Sequence, residues 1–340
     1  MSPRPSRFRR GAVTAVAATL LTTLAACGGG SAAADQAGSA APADVTVPVG
    51  ALSNGAATET PIKVATVEEI RATLPQAVRD AGTLNIGSGT LPAGSPPLGF
   101  TGTDQQTITG SEPDLARLVA GVLGLEPEFQ RSTWQNMFVG LDSGRVDVSF
   151  SNVTVTEERK KKYDFASYRQ DNLGFETLAS NPWTFTGDYR QLAGLRTSVD
   201  RGTNQEKILL EWQAKLRAEG KDVTVQYYPD TNAVQLALDS GQVDAYLGPN
   251  PNLAYQAKAS EGTPNPKKIA GTYSGAGESL QGLIAATVKK DSGLAQPVSA
   301  AINRLIQDGQ YAAWLTAWNL SNEAVTRSEV NPPGLPITNS

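Results

Sequence analysis

The sequence predicts an α/β fold of two similarly built lobes, and three observations carry that prediction. The segment Leu141 to Asp147, LDSGRVD, returns 97 residues later as LDSGQVD, Leu238 to Asp244, with six of seven positions identical. Each copy follows a stretch of helical apolar spacing and leads at once into a short apolar run, Val146 to Phe150 or Val243 to Leu247. Gly144 and Gly241 suit the left-handed position that ends a helix, after which a buried strand can begin. Finally, roughly 270 residues remain beyond the N-terminal region, a length better served by two lobes than by one core.

The N-terminal region reads as leader and tether. Arg4, Arg7, Arg9 and Arg10 precede an apolar stretch from Gly11 to Leu24, and the small residues Ala25 and Ala26 stand before Cys27. That is the pattern of a secretory signal peptide over residues 1–26, too short and too rich in Ala and Thr for a stable membrane span. Residues 27–62 are dominated by Gly, Ala, Ser, Thr and Pro. They are expected to form a flexible tether, because such a stretch buries too little surface to offset its ordering entropy.

Val64 to Ala81 carries Val67, Ile70, Leu74 and Val78 at helical spacing, a lead-in helix. Leu84 to Gly87 is the first core strand, ending in a Gly- and Pro-rich loop that runs to Phe100. Asp114 to Leu125 is helical, with Pro113 near its start and Gly124 near its end. Glu128 to Arg131 is an edge strand, and the first repeat helix and strand follow. Tyr163 to Leu178 leads out of the first lobe. In the second lobe, strands at Leu195–Val199 and Val223–Tyr228 flank a helix at Glu206–Ala218, ahead of the second repeat. Leu280 to Val288 recrosses, and Leu294–Leu305 and Tyr311–Trp318 are closing helices. The expected organisation is residues 63–174 with 283–330 for lobe 1, 175–282 for lobe 2, and a polar tail over 331–340.

Composition excludes several function classes. Taking the four leader arginines from 29 Lys+Arg leaves 25 against 33 Asp+Glu, a net charge of about −8. An acidic surface gives no electrostatic footprint for nucleic acid. The chain has no histidine, which excludes Ser-His-Asp and Cys-His catalysis and the usual His-based metal sites. Cys27 is the sole cysteine, so no intrachain disulfide forms. No metal or cofactor is expected, and no apolar segment of spanning length follows Cys27.

Two stretches carry chemistry. In SNVTVTEERKKK, Ser151 to Lys162, a strand ends in hydroxyl and amide side chains, and Thr156 can cap a helix starting at Glu157. Arg159 would then sit in the first helical turn, where the helix dipole disfavours a structural cation. Free N–H groups, hydroxyls and a guanidinium together make a receptor for a carboxylate; an Arg159 paired with Glu157, Glu158 or solvent is the plainer alternative. In DRGTNQEK, Asp200 to Lys207, the residues Gly202, Thr203 and Asn204 precede a helix from Gln205, an anion-friendly start or a simple N-cap. One such start per lobe suggests a ligand held between them.

Taken in order, these strings resemble the bacterial extracellular solute-binding proteins of family 3, the polar amino-acid receptors of ABC importers, over roughly Thr83 to Leu320. SNVTVTEER is similar to that family's S-x-x-T/S-x-T-x-x-R segment, and GTNQEK to its G-[ST]-[TN]-x-E segment. The resemblance implies a periplasmic-binding-protein-like (type II) fold with two hinge crossings and the ligand in the cleft. It implies that Arg159 binds the ligand carboxylate, that Thr154 and Asn152 add hydrogen bonds, and that Thr203 and Asn204 contact the same group from the second lobe. Trp134 falls at an apolar cleft position, or is a core tryptophan at the start of the repeat helix. LAAC, Leu24 to Cys27, resembles the lipobox of bacterial lipoproteins, which implies a lipid on Cys27 and an extracytoplasmic, membrane-anchored protein.

Three departures concern the ligand. Where the family places an acid for the amino group, this chain has Pro249, with Asn250 beside it. The early loop offers Gly89, Ser95 and Phe100 in place of an acid and an aromatic ring, and GSE stands where the family has G-[FY]-[DE]. Either Glu278, Asp230 or Glu112 substitutes for the missing acid, or the ligand lacks a primary α-ammonium and its nitrogen meets π-faces such as Trp134 or Phe100. The sequence favours the second. The expected function is a monomeric receptor that captures a small carboxylate-bearing solute for ABC permease subunits. The alternatives are a dehydratase- or eliminase-type enzyme using Asp230 or Glu278, or a non-transporting ligand sensor.

Overall fold

The computed structural model describes residues 44–338; the expected leader, Cys27 and the first part of the tether lie outside them. The described chain begins with a hairpin. β1 (Val45–Val49) pairs antiparallel with β2 (Thr60–Val64), Val47 lying opposite Ile62. Period-two alternation turns Val47, Val49, Ile62 and Val64 into the core of the first lobe. The Gly50 N–H donates to the buried Asp114 carboxylate at 2.7 Å, fixing the hairpin to a helix 64 residues on. The tether expectation therefore fails from Val45 onward: the large apolar residues are few, but they alternate.

The lead-in helix is broken into α1 (Glu68–Arg71) and α2 (Gln76–Ala81), because Pro75 holds Leu74 away from the helical region and lacks an N–H of its own. β3 (Thr83–Leu91) enters the Gly- and Pro-rich loop, which closes on a small hairpin of β4 (Phe100–Thr101) and β5 (Ile108–Thr109). α3 (Ser111–Leu123), β6 (Glu126–Thr133), α4 (Trp134–Ser143) and β7 (Val148–Ser149) complete the first run. β8 (Tyr163–Leu178) is followed by β9 (Arg196–Val199), α5 (Asn204–Ala218), β10 (Thr224–Gln226), α6 (Thr231–Asp239) and β11 (Ala245–Pro249). Then come α7 (Asn250–Ala259), β12 (Lys267–Ser274), β13 (Gly282–Lys289), α8 (Ala295–Gln307) and α9 (Gln310–Ala317). β12 has no counterpart in the sequence reading, since its lysines and Gly271 mask the apolar signal.

The strands form one sheet in the order β10-β9-β11-β8-β13-β7-β3-β6, with β12 also on β8. β8 belongs to both lobes. Its first part, Tyr163 to Asp171, pairs with β13; from Asn172 onward it pairs with β12, and over Leu173–Glu176 with β11. The chain returns through 275–281 into β13, so the two crossings lie side by side at Asp171, whose carbonyl accepts from the Gly275 N–H at 2.9 Å. A Cβ on Gly275 would collide with the Asp171 carboxylate, so the close approach requires glycine there.

The sequence repeat has a physical meaning. Its last residue accepts from the neighbouring parallel strand in each lobe: Asp147 from the Asn85 N–H at 2.8 Å, Asp244 from the Arg196 N–H at 2.8 Å. In return the Asp147 and Asp244 N–H groups donate to the carbonyls of those same two residues. Gly144 caps α4 at φ 73, and Gly241 follows α6 at φ 67.

The expected polar tail is instead a strap. Ser167 and Glu329 exchange hydrogen bonds, the Asn331 side chain accepts from the Phe165 N–H at 2.9 Å, and Leu335 pairs with Thr156. Leu335 is fully buried in the second lobe's core, and Lys207 of α5 donates to the Pro336 carbonyl. Truncating a buried leucine costs about 2–5 kcal/mol. Leu335→Ala should lower the urea-unfolding free energy by that amount, and a loss below roughly 0.5 kcal/mol, the scale of an ordinary surface substitution, would mean that the strap contributes no packing.

Candidate functional site

A cavity of about 540 Å³ opens between the lobes. The first lobe contributes the end of β3 and its loop, Glu112, Trp134, Ser151 and Asn152; the second contributes Asp200 to Gln205 without Gly202, Tyr227 to Thr231, and Pro249. Trp134 opens α4, whose N-cap Thr133 accepts from the Asn136 N–H at 3.3 Å. Its indole N–H reaches across to the Gly202 carbonyl at 3.3 Å, and Arg159 Nη2 donates to the same carbonyl at 3.2 Å. Asn252 of α7 adds a further cross-lobe bond, to the Pro96 carbonyl at 2.8 Å. The lobes are thus latched along the cleft.

Arg159 lies behind Trp134 and does not line the cavity. Its guanidinium sits 5.4 Å from the Trp134 ring and 5.6 Å from the Phe138 ring, with Nη1 on the Thr154 carbonyl at 2.9 Å. Burial pulls its pKa down to about 10, opposed by the negative charge of Asp171. Thr156 caps as expected, accepting from the Arg159 N–H at 3.0 Å, but the helix is a single 3₁₀ turn, Arg159–Lys161.

Several donors expected for the ligand are engaged by internal carboxylates. Thr154 is buried, does not line the cavity, and donates to Asp171 Oδ2 at 2.7 Å. Asn204 lines the cavity, yet its amide donates to the same oxygen at 3.1 Å and to the Gly275 carbonyl at 2.9 Å. Burial raises the Asp171 pKa to about 6 against the Thr154 hydrogen bond and the charge of Arg169. Asn152, at φ 53, lines the cavity with its side-chain oxygen on Arg169 and its N–H on Glu112 at 3.3 Å.

Arg169 is fully buried between Glu112, at 3.0 Å, and Glu323. Burial opposes its charge, but the carboxylates of Glu323 and Glu112 hold its pKa above the ordinary arginine value. Thr203 is the N-cap of α5: its hydroxyl accepts from the Glu206 N–H at 3.2 Å and donates to the Asp200 carbonyl at 2.7 Å. The N–H groups of Asn204 and Gln205, first in that helix, have no carbonyl of their own helix to bond and carry its positive end.

Two expected residues are not brought to the cavity. Phe100 is buried in the first lobe, edge-on to Trp318 at 6.3 Å, because the hairpin after the loop turns it inward. Asn250 is the first residue of α7 and leaves the wall to Pro249. Among the candidate acids, Glu278 is exposed and outside the cavity, and Asp230 caps α6 by accepting from the Ala233 N–H at 3.0 Å. Sequence reasoning missed Asp200, Arg201, whose guanidinium lies 3.7 Å from the Tyr227 ring centroid, and Thr90, whose buried hydroxyl has no partner. Asp200 and Arg201 open the DRGTNQEK stretch, but that pattern directs attention to Gly202, Thr203 and Asn204; Thr90 sits in no recognisable pattern.

Residues 89–321 match the profile of bacterial extracellular solute-binding proteins, family 3. The chain is similar to the L-cystine-binding protein TcyJ of Escherichia coli K12, 36% identical over 172 residues. That match spans 50% of this chain and 60% of that protein's length. It is also similar to the arginine-binding protein ArgT of Corynebacterium glutamicum, 27% identical over 78% of this chain and 83% of that one. Among solved structures, an ancestral arginine-binding protein bound to arginine aligns with a TM-score of 0.60 at 26% identity, covering 70% of this chain and 98% of its own. The fold is the two-lobed type II arrangement of those proteins.

Asp171 makes stability depend on pH. Its pKa, about 6 in the folded state against 3.8 for a free aspartate, means that the folded state binds the extra proton between those values. Its contribution is most favourable below 3.8, falls as pH rises, and is lost above about 6. Asp171→Asn should therefore flatten part of the fall in melting temperature between pH 4 and pH 7; identical slopes for variant and wild type would refute the assignment.

Proposed function

The chain belongs to family 3 of the bacterial extracellular solute-binding proteins, and on that premise we propose that it is the receptor of an ABC importer for a small carboxylate-bearing solute, an amino acid or a derivative. The observation that carries this reading is the cavity of about 540 Å³ closed by groups from both lobes, with the N-terminus of a 15-residue helix at its edge. Such a helix end attracts an anion through its orphan N–H groups and dipole. Arg159 stands behind Trp134, its guanidinium bonded to two carbonyls within the protein, and its positive charge adds to the attraction of that helix end for a ligand carboxylate at Asn204 and Gln205. Capture proceeds by hinge closure, the motion by which periplasmic binding proteins as a class enclose their ligands. The Trp134 and Arg159 contacts to Gly202 hold the closed form.

In this reading the protein binds and releases its solute unchanged, works as a monomer with permease subunits as its partners, and is held by a lipid on Cys27 at the outer face of the cell membrane. The names of its cystine- and arginine-binding relatives support amino acids as the first candidate ligands. Native mass spectrometry of what co-purifies with the soluble domain identifies the solute directly.

Removing one partner of a buried charge pair costs about 2–5 kcal/mol, so Arg159→Ala should weaken solute binding by roughly 30-fold or more in calorimetry while the protein stays folded. Unchanged affinity would show that Arg159 serves only the latch. In cells, Cys27→Ala should release the protein or leave its leader uncleaved. A variant that stays on the membrane with a normally processed N-terminus would rule out the lipid anchor.

A further inference from the structure

The C-terminal strap belongs to both lobes through a single residue. By its backbone Leu335 is part of the first lobe: its N–H donates to the Val155 carbonyl at 3.0 Å and its carbonyl accepts from the Glu157 N–H at 2.9 Å. The Gly334 N–H adds a bond to the Glu157 carboxylate at 2.9 Å. By its side chain Leu335 is part of the second lobe, fully buried in the core that includes Ile208 and Trp212 of α5. The next carbonyl, that of Pro336, accepts from Lys207 of the same helix. The approach to the first lobe is close: a Cβ on Gly334 would stand 2.3 Å from the Val155 carbonyl oxygen, so glycine is required there.

The segment that holds the strap also holds the cleft latch. Arg159, two residues beyond Glu157, donates to the Gly202 carbonyl just ahead of α5, and Lys207 lies in the first turn of that helix. Residues 155–159 of the first lobe therefore grip the start of α5 twice, at Gly202 directly and at Lys207 through the strap. When the lobes part, either the Leu335 side chain leaves its core or its backbone leaves Val155 and Glu157. The strap has little slack to avoid that choice. Upstream it is fastened to β8, where Ser167 and Glu329 exchange hydrogen bonds, Val330 pairs with Ala166, and the Asn331 side chain bonds Phe165 and Asp164. Between that fastening and Leu335 stand Pro332 and Pro333, whose rings fix φ. All these strap residues lie beyond 89–321, so the match to the family profile does not account for them.

We propose that residues 329–336 are a clasp that holds the two lobes together without solute, and so sets the balance between the closed and open forms. Opening exposes Leu335 or strips its backbone bonds, a cost that only the open form bears, so weakening the clasp shifts the balance toward open. The device acts on lobe movement whatever solute the cleft takes.

The test reads the distance between the lobes in the full chain without solute. Cys27, the sole cysteine, is changed by Cys27→Ser, and spin labels are attached through Val139→Cys on α4 and Leu236→Cys on α6, exposed positions one in each lobe. Double electron–electron resonance should show one short distance in this parent. In Leu335→Ala a longer distance should appear, its population raised roughly tenfold or more, in keeping with the loss of a buried leucine. Leu216→Ala, a truncation in the same core but outside the strap, should leave the distribution as in the parent. Should Leu335→Ala fail to fold, Lys207→Met replaces it, removing the donor to Pro336, and should raise the long population about twofold or more, an energy on the scale of one hydrogen bond. An unchanged distribution in Leu335→Ala, or in Lys207→Met where it stands in, overturns the clasp. So does a parent found mainly at the long distance, or a Leu216→Ala variant that opens as far as Leu335→Ala. Because no solute is present, each of these outcomes leaves the receptor reading standing.

Discussion

Two buried charges on one strand hold this molecule together at the point where it bends. Arg169 and Asp171 lie two residues apart on β8, at the place where that strand leaves one lobe's sheet and enters the other's. Arg169 gathers Glu112 from α3, Glu323 from the turn after α9, and Asn152 from the cleft wall. Taking such a charge out of water costs several kcal/mol per ion unless its partners are in place, so three segments distant in sequence position one another through it. Asp171 does the same across the hinge, joining Thr154 of the first lobe to Asn204 of the second.

This arrangement decides which groups remain for a ligand. Thr154, Asn204 and Asn152 carry the residue types of a carboxylate receptor, but the protein's own ions occupy those side chains. The cavity wall still offers backbone at the start of α5, the unpartnered Thr90 hydroxyl, the Asp200 carboxylate, and Arg201, whose guanidinium lies over the Tyr227 ring. The network is densely bonded, Arg169 Nε alone among its buried side-chain atoms lacking a partner, and it holds the cavity walls that carry those remaining groups. The internal salt bridges thus act on binding through geometry more than through direct contact.

Much of the fold was legible because its signals are local. Helical spacing, Gly144 and Gly241 marked two helix ends, and the recurring LDSG-x-VD marked two equivalent strand pairs whose shared aspartate clamps the next strand's backbone. What local signals could not show was burial supplied from far away. The β1–β2 hairpin has only a few valines and one isoleucine, and its order comes from α3 and Asp114. Leu335 sits in a proline-rich tail and becomes core only because the strap reaches the second lobe. Phe100 looked like a cleft aromatic until a four-residue hairpin ladder turned it inward. The site was readable to the same extent: Trp134, Asn152, Thr203 and Asn204 do border the cavity, whereas Asp200 was invisible because only strand register brings it beside Pro249.

Strand register also explains how residues distant in sequence come to share one wall of the cavity. In a parallel sheet, neighbouring strands end side by side about 4.8 Å apart, close to the reach of a carboxylate side chain. The end of β11 at Pro249 therefore lies beside Asp200 at the end of β9, and both line the cavity. Tyr246 of β11 ties the two strand ends together, its ring lying over Gly248 to reach the Asp200 carboxylate. Pro249 stands at the N-cap of α7 in an extended conformation, so the strand ends and the helix begins at a residue whose φ is fixed. Seen in space, Pro249 and Asp200 belong to one wall that the sequence spreads over two strands.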